Sequence, residues 1–261
     1  MLKLRDWIRQ DMISYEYLSS NPQAIRFLEQ NPDKIVNTFL SLNPAAIHML
    51  KKTPRRIVWS YLSSNPGAMH LLEANPHRID WSYLSLNPAA MHLLEANPDK
   101  IDWSNLSSNP AAIHLLEKNK KRIHWGNLCK NTAAMHLIEK RKTKLDLGNL
   151  SANPAAIPFL EKHPEKIVWH RLSENPAAIH LIEKNLDMIN WYSMSENPAA
   201  IHIIEKHQLN IGWYVISKNP EIFEYDYKSM KETGKCVFFE ELMANRFHPK
   251  NLEKFEAWGY E

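Results

Sequence analysis

The sequence predicts an all-α fold, an α-solenoid of about ten 22-residue repeats, each with two short helical segments, flanked by N- and C-terminal caps. Asn-Pro dipeptides recur every 22 residues from Asn21 to Asn219, and Asn131-Thr132 fills the one gap. The chain has 16 prolines and only 6 glycines, and 14 of the prolines occupy the second and twelfth positions of the repeat. Few positions therefore require a positive φ, which disfavours tight β-hairpins and favours helices that begin at proline.

The repeat that begins at Asn87 illustrates how the helices are specified. Asn87 is placed to N-cap a helix whose first residue is Pro88, where the missing N–H has no cost. The apolar residues that follow lie on one arc of a short amphipathic helix. Asn97 ends that helix, because a residue before proline is displaced from the α region. A second short helix or 3₁₀ turn is predicted over residues 99–106.

Helices of about two turns are unstable alone, so each repeat must bury its apolar face on its neighbours. With stacked elements 8–10 Å apart, ten repeats predict a rod or arc of roughly 90 Å. A leucine-rich-repeat horseshoe is the alternative, since its period includes 22 residues, although its L-x-x-L-x-L-x-x-N pattern does not fit. The predicted parts are an N-terminal half-repeat cap over residues 1–20, nine repeats over 21–218, and a partial repeat with a C-terminal helical cap over 219–261, which contains amphipathic helices near 236–247 and 249–258.

Tryptophan occupies one column of the repeat, at position 17 counted from the asparagine. Asn37 and Leu147 are the exceptions within the nine repeats. We interpret the column as buried core between repeats rather than as a platform for stacked bases. Its members are Trp59, Trp81, Trp103, Trp125, Trp169, Trp191 and Trp213.

Histidine occupies position 6, in the middle of the polar arc, so this row is predicted to be exposed. Rings 8–10 Å apart cannot share a zinc ion, whose ligands each lie about 2.0–2.1 Å from the metal. The row is interpreted as a solvated face or as a repetitive docking strip. Glutamate recurs at position 9, and neighbouring lysines are expected to neutralise it. The histidines are His48, His70, His92, His114, His136, His180 and His202.

Positive charge is concentrated in the centre of the chain. The whole chain carries 32 Lys+Arg and 29 Asp+Glu, a net charge of +3, whereas residues 118–144 contain nine basic residues and one acid, which is 9 − 1 = +8. This window is either a solvated face or an anion site for nucleic acid, a phosphorylated segment or an acidic protein surface. Its basic residues are Lys118, Lys120, Lys121, Arg122, Lys130, Lys140, Arg141, Lys142 and Lys144.

No motif for catalysis or cofactor binding is present. The sequence lacks a P-loop, a Gly-rich dinucleotide turn, a G-x-S-x-G elbow and metal-ligand spacing of Cys and His. Two cysteines lie 107 residues apart, and there is no apolar leader or membrane-length run. These observations predict a non-enzymatic intracellular protein that is not secreted and has no cofactor, metal or membrane partner.

The segments LSSNPAAIHLLEKN and NPDKIDWSNLSSNP, with the closing FFEELMANRFHPKNLEKFEAWGYE, resemble the Asn-Pro repeat proteins of large nucleocytoplasmic DNA viruses of the mimivirus and chlorovirus type. The resemblance covers essentially the whole chain and carries over no catalytic residues. It implies a viral protein, made in an infected cell, with viral or host protein partners.

Three functions are consistent with these observations. The first is a non-enzymatic scaffold for protein–protein interaction. The second is a minor capsid or other structural component of a virion. The third is binding of nucleic acid or another polyanion through the central basic residues.

Overall fold

The computed structural model describes residues 2–141 and 145–232. The chain divides into two compact units, one formed by residues 6–222 and the other by residues 1–5 together with 223–261. The repeats lie in the first of these units and form the all-α solenoid that the sequence predicts. No helix in the two described ranges is long and apolar enough to cross a membrane.

Most repeats consist of a 3₁₀ turn, a first helix, another 3₁₀ turn and a second helix. The first helices are Ile25–Gln30, Ile47–Lys52, Met69–Glu73, Met91–Ala96, Ile113–Lys118, Met135–Ile138, Ile157–Lys162, Ile179–Glu183 and Ile201–Lys206. The second helices are Tyr15–Ser20, Asn37–Leu42, Trp59–Ser63, Trp81–Leu84, Trp103–Leu106, Trp125–Leu128, Leu147–Ser151, Trp169–Leu172, Trp191–Ser195 and the 3₁₀ helix Val215–Lys218.

The 3₁₀ turns fall into the same two classes. Those before the first helices are Pro22–Ala24, Pro44–Ala46, Pro66–Ala68, Pro88–Ala90, Pro110–Ala112, Pro154–Ala156, Pro176–Ala178, Pro198–Ala200 and Pro220–Ile222. Those before the second helices are Gln10–Met12, Pro32–Lys34, Pro54–Arg56, Pro76–Arg78, Pro98–Lys100, Lys120–Arg122, Pro164–Lys166 and Gln208–Asn210.

The asparagine and proline of each repeat act as the sequence predicts, with one difference in the second half. The Asn87 side chain accepts a hydrogen bond from the backbone N–H of Ala89 at 3.0 Å, and Asn97 leaves the α region with φ −134° and ψ 63°. The predicted single segment over 99–106 is divided, because Ile101 is extended with ψ 123° and Asp102 N-caps a separate helix through the N–H of Asn105. The second half is therefore a 3₁₀ turn followed by a helix.

The core is formed by three apolar columns at positions 4, 8 and 20 of the repeat. Ala90, Leu94 and Leu106 represent these columns, and each has no exposed surface. Full burial of a leucine contributes about 2 kcal/mol, and alanine at position 4 lets neighbouring repeats approach closely. The tryptophan column is half-buried rather than buried, so the prediction that it forms the core is wrong.

A ladder of asparagine side chains joins successive repeats. In addition to accepting the N-cap hydrogen bond, the Asn109 side chain donates through its amide group to the carbonyl oxygen of Asn87, the first residue of the preceding repeat, at 3.2 Å. It also donates to the carbonyl oxygen of Ser85, near the end of the repeat before that, at 3.1 Å. The position-1 asparagines are at most 1% exposed. Their carboxamides therefore satisfy backbone groups that would otherwise be buried without partners. The ladder continues through Asn131, so the basic repeats are not displaced from the stack.

A second ladder uses the buried serine at position 21. The Ser85 hydroxyl donates to the Trp81 carbonyl at 2.8 Å and accepts from the Asp102 N–H of the next repeat at 3.1 Å. Cys129 takes this position in one repeat. Burial raises the pKa of the Cys129 thiol. A hydrogen bond between the backbone of Asp146 and the sulfur lowers this pKa, but its effect is smaller than that of burial.

The repeats close on themselves. Asn21 donates to the carbonyl oxygens of Ser217 and Asn219, both at 3.0 Å, just as Asn43 donates to those of Ser19 and Asn21. The N–H of Ser14 donates to the Ser217 hydroxyl at 2.9 Å, which completes the serine ladder. Residues 6–222 therefore form a closed ring of ten stacked layers. The predicted open rod or arc is wrong, and residues 6–20 complete the ring instead of capping a free end.

The contact that closes the ring also includes aromatic and charged side chains. The rings of Tyr17 and Tyr214 meet edge to face with centroids 4.7 Å apart, and Lys218 Nζ lies 4.4 Å from the Tyr17 centroid. The Tyr214 hydroxyl donates to the Glu16 carboxylate, and this hydrogen bond raises the pKa of Tyr214.

The second compact unit contains a two-stranded antiparallel sheet. Strand Leu2–Leu4 pairs with Phe223–Tyr225, with Lys3 opposite Glu224. These two side chains form an ion pair at 3.3 Å. Helix Tyr227–Glu232 follows. The helices predicted near 236–247 and 249–258 lie outside the described residues.

Candidate functional site

The exposed surface of the ring carries the predicted site residues in separate rows. Within residues 2–141 and 145–232, no group of three His, Cys, Asp or Glu residues is arranged to hold a metal ion.

The predicted histidine row is exposed along its whole length. In six of its seven members, the Nε2 atom lies within hydrogen-bond distance of the position-9 glutamate carboxylate of the preceding repeat, so histidines rather than neighbouring lysines contact these glutamates. The exception is His70, because Lys51 stands where the other repeats have glutamate. The pairs are His48–Glu29 at 3.0 Å, His92–Glu73 at 2.9 Å, His114–Glu95 at 2.6 Å, His136–Glu117 at 2.8 Å, His180–Glu161 at 2.7 Å and His202–Glu183 at 3.0 Å.

This pairing changes what the histidine row can do. Each of these six imidazoles uses its Nε2 atom in a contact that joins two repeats. Each such exposed pair contributes about 0–1 kcal/mol. The row is thus a self-paired ladder along the ring, and its role as a docking strip remains a prediction.

The central basic residues present a different surface. Six of the nine predicted members are exposed, and in the part of the chain that the structure describes none of these six forms an ion pair. Arg141 is half-buried, and Lys142 and Lys144 lie outside the described residues. We call the described members the cationic sector; they are Lys118, Lys120, Lys121, Arg122, Lys130, Lys140 and Arg141.

Two arginines of the cationic sector lie over indole rings. The guanidinium of Arg122 is 5.0 Å from the Trp103 centroid, and that of Arg141 is 3.8 Å from the Trp125 centroid. The Arg141 Nε atom is buried without a hydrogen-bond partner in the described structure. Stacking on an aromatic face holds a guanidinium in place while leaving its in-plane donors available to an anion.

The same arrangement recurs along the ring and was not predicted from the sequence. A Lys or Arg at position 14 lies over the position-17 aromatic ring of the preceding repeat. The signal was present in the sequence, since position 14 is basic in seven consecutive repeats from Lys34 to Lys166. The described examples are Lys34 over Tyr15 at 4.7 Å, Arg78 over Trp59 at 5.0 Å, Lys100 over Trp81 at 4.5 Å and Arg122 over Trp103 at 5.0 Å.

The position-14 row changes character near the closure of the ring. Met188 occupies position 14 in one repeat. In the next repeat, Leu209 is the residue immediately before position 14. Met12 occupies position 14 in the half-repeat that follows across the closure. Their exposed fractions are 51%, 102% and 40%. The ring therefore carries a cationic arc and a shorter apolar arc at equivalent positions.

Grooves between neighbouring repeats open onto this row. One groove, of about 380 Å³, is lined by Glu29, Pro32, Ile35, Asn37, Leu40, Met49, Lys52, Thr53 and Arg56. The equivalent groove one repeat later, of about 350 Å³, is lined by Lys51, Pro54, Arg55, Ile57, Trp59, Leu71, Asn75 and Arg78.

Comparison with protein-family models, with curated proteins and with solved structures finds no match to this chain. The resemblance to viral Asn-Pro repeat proteins remains a prediction from the repeat pattern.

Proposed function

We propose that this chain is a non-catalytic scaffold that binds an acidic surface of a partner protein through its cationic sector. The observation that carries the proposal is a group of exposed lysines without ion-pair partners in the described structure, on adjacent repeats of a ring held together by buried side-chain ladders. A surface whose backbone is already ordered loses little conformational entropy on binding.

Charge also favours this sector over the histidine row. The window of residues 118–144 carries +8 in a chain of net charge +3. In the histidine row, most imidazoles already contact a glutamate of the same chain. The cationic sector therefore offers the stronger field for attracting an acidic partner.

The test compares charge reversals at equivalent places in different repeats. Lys118 and Lys140 occupy position 10 of two adjacent repeats in the sector, and Lys184 and Lys206 occupy position 10 of two adjacent repeats elsewhere; all four are exposed. The K118E/K140E and K184E/K206E variants change the net charge equally. We expect K118E/K140E to weaken binding of poly-aspartate and to lose an acidic partner from cell extracts, while K184E/K206E retains both.

Equal retention by the two double variants contradicts the proposal. Duplex DNA and single-stranded RNA serve as parallel probes in a salt titration, because phosphate contacts weaken steeply as salt concentration rises. Binding of nucleic acid through Lys118 and Lys140, without capture of a protein after nuclease treatment, would instead assign a nucleic-acid function to the sector.

A further inference from the structure

Two repeats, those with Asn37 and Leu147 at position 17, lack the aromatic ring over which the next repeat places its cation. After Leu147, the cation Lys166 lies over the Phe159 ring instead, at 4.9 Å.

Asn37 stands at position 17, where Tyr15 stands one repeat earlier and Trp59 one repeat later. Lys34 and Arg78 lie over those two aromatic rings. Arg56 is the corresponding cation for Asn37, and within the described residues it lies over no aromatic ring and forms no ion pair.

At Asn37 the wall of the groove includes a core leucine. Leu40 lines this groove and is 2% exposed, whereas the equivalent Leu18 and Leu62 in the adjacent repeats have no exposed surface. In the equivalent groove of the next repeat, Trp59 forms part of the wall and Leu62 does not line the groove. The two grooves have similar volumes, about 380 and 350 Å³, so they differ in what lies at the bottom rather than in size.

The charges around the groove at Asn37 are predominantly positive. Lys52 and Arg56 are exposed and line it, and neither forms an ion pair in the part of the chain that the structure describes. The Glu29 carboxylate also lines the groove, but it contacts His48 Nε2 at 3.0 Å. The groove thus has an apolar floor and two cations. Arg56 is suited to an aromatic face, and Lys52 is suited to a carboxylate.

We propose that this groove receives an aromatic side chain of a partner protein at a place where acidic residues flank that side chain. The ring lies against Leu40 with Arg56 over its face, as Arg78 lies over Trp59, and Lys52 pairs with a flanking carboxylate. A volume near 380 Å³ is at the lower end of ligand sites, which suits one side chain and its neighbours rather than a large cofactor. The inference rests on the proposed function, because it specifies an aromatic side chain as the anchor in the same acidic partner protein.

The test uses the full chain and two labelled pentapeptides, Asp-Asp-Trp-Asp-Asp and Asp-Asp-Ala-Asp-Asp, in fluorescence anisotropy titrations. We expect the wild-type chain to bind the Trp peptide about tenfold more tightly than the Ala peptide, because only the Trp peptide buries an aromatic ring. Asn37→Trp fills the groove with the residue found in other repeats and should remove this difference. Asn37→Ala leaves the groove open and should preserve it.

A second pair of variants does not depend on how the Asn37→Trp chain folds. Arg56→Gln should weaken binding of the Trp peptide more than that of the Ala peptide, and Arg55→Gln, which removes a neighbouring exposed charge from the next groove, should affect the two peptides equally. Thermal unfolding of Asn37→Trp provides an independent readout, since an indole over Leu40 and under Arg56 should leave the chain at least as stable as the wild type.

Equal binding of the two peptides by the wild-type chain overturns the inference, as does undiminished binding of the Trp peptide by a folded Asn37→Trp chain. The proposed function is decided separately by the K118E/K140E variant with poly-aspartate, because these lysines lie outside the groove. The inference can therefore fail while the proposed function stands.

Discussion

Replacement of Asn21 by alanine distinguishes a closed ring from an open solenoid. In an open stack, Asn21 would only N-cap the first full repeat, and its loss would cost about 1 kcal/mol. In the closed ring, its side chain also donates to the carbonyl oxygens of Ser217 and Asn219 at 3.0 Å and accepts from the Gln23 N–H at 3.0 Å. The loss of three largely buried hydrogen bonds at about 1 kcal/mol each predicts a cost of about 3 kcal/mol.

Two other substitutions calibrate this prediction. Asn109→Ala removes the same set of hydrogen bonds inside the stack and should cost the same as Asn21→Ala. Asn97→Ala removes a single hydrogen bond to the Leu93 carbonyl, at 2.9 Å, and should cost about 1 kcal/mol.

Thermal and urea unfolding provide the measurement. For a chain of this size, about 3 kcal/mol corresponds to a decrease in Tm of roughly 6–12 °C, and about 1 kcal/mol to roughly 2–4 °C. If Asn21→Ala behaves like Asn97→Ala while Asn109→Ala shows the large loss, the ring is open in solution and the closure argument is refuted.

Three further predictions concern single side chains. Cys129→Ser should change the free energy of unfolding by about 0–1 kcal/mol in urea, because a hydroxyl is the usual group at that buried position. A larger loss of stability would contradict the serine-ladder argument. The native thiol should react slowly with alkylating agents. Burial raises the pKa of Glu174, so the unfolded chain ionises first and stability is lost as pH rises through the unfolded and then the folded pKa. The Tm of Glu174→Gln minus that of the wild type should therefore increase as the pH rises from about 4 to 7. A difference that does not change with pH would contradict the raised pKa of Glu174. The contact between His114 and Glu95 should give a coupling of about 0.2–1 kcal/mol in a double-mutant cycle, and this coupling should disappear in about 1 M salt; a salt-independent value would show that the pair is not electrostatic.

Most of the local structure follows from residues close together in the chain. Asn87 and Pro88 specify where a helix begins, and Asn97 specifies where it ends, because capping and the restriction before proline act over two or three residues. The exposure of the histidine row also follows from helical periodicity alone. The break at Ile101 was not predicted, because alternating and three-residue spacings both fit that segment.

The surface contacts were less predictable. The pairing of His114 with Glu95 joins residues 19 apart, and the contact of Arg122 with Trp103 depends on which side chain each neighbouring repeat presents. The column of position-14 cations is visible in the sequence, but its relation to the aromatic column requires the offset between repeats. Without that offset, the cationic sector appears as a run of charge, and Asn37 appears only as an exception in the tryptophan column.

The sequence by itself determined the 22-residue repeat, the helical class and the placement of each helix start, because these depend on short-range steric and hydrogen-bonding preferences. Only the tertiary structure decided that the repeats close after ten layers. Closure requires each repeat to turn by one tenth of a circle relative to the last, and that small rotation is set jointly by the alanine, leucine, asparagine and serine contacts between repeats. The same packing decided that Leu40 lines a groove where Asn37 replaces an aromatic residue, which is the feature from which the proposed aromatic-binding groove follows.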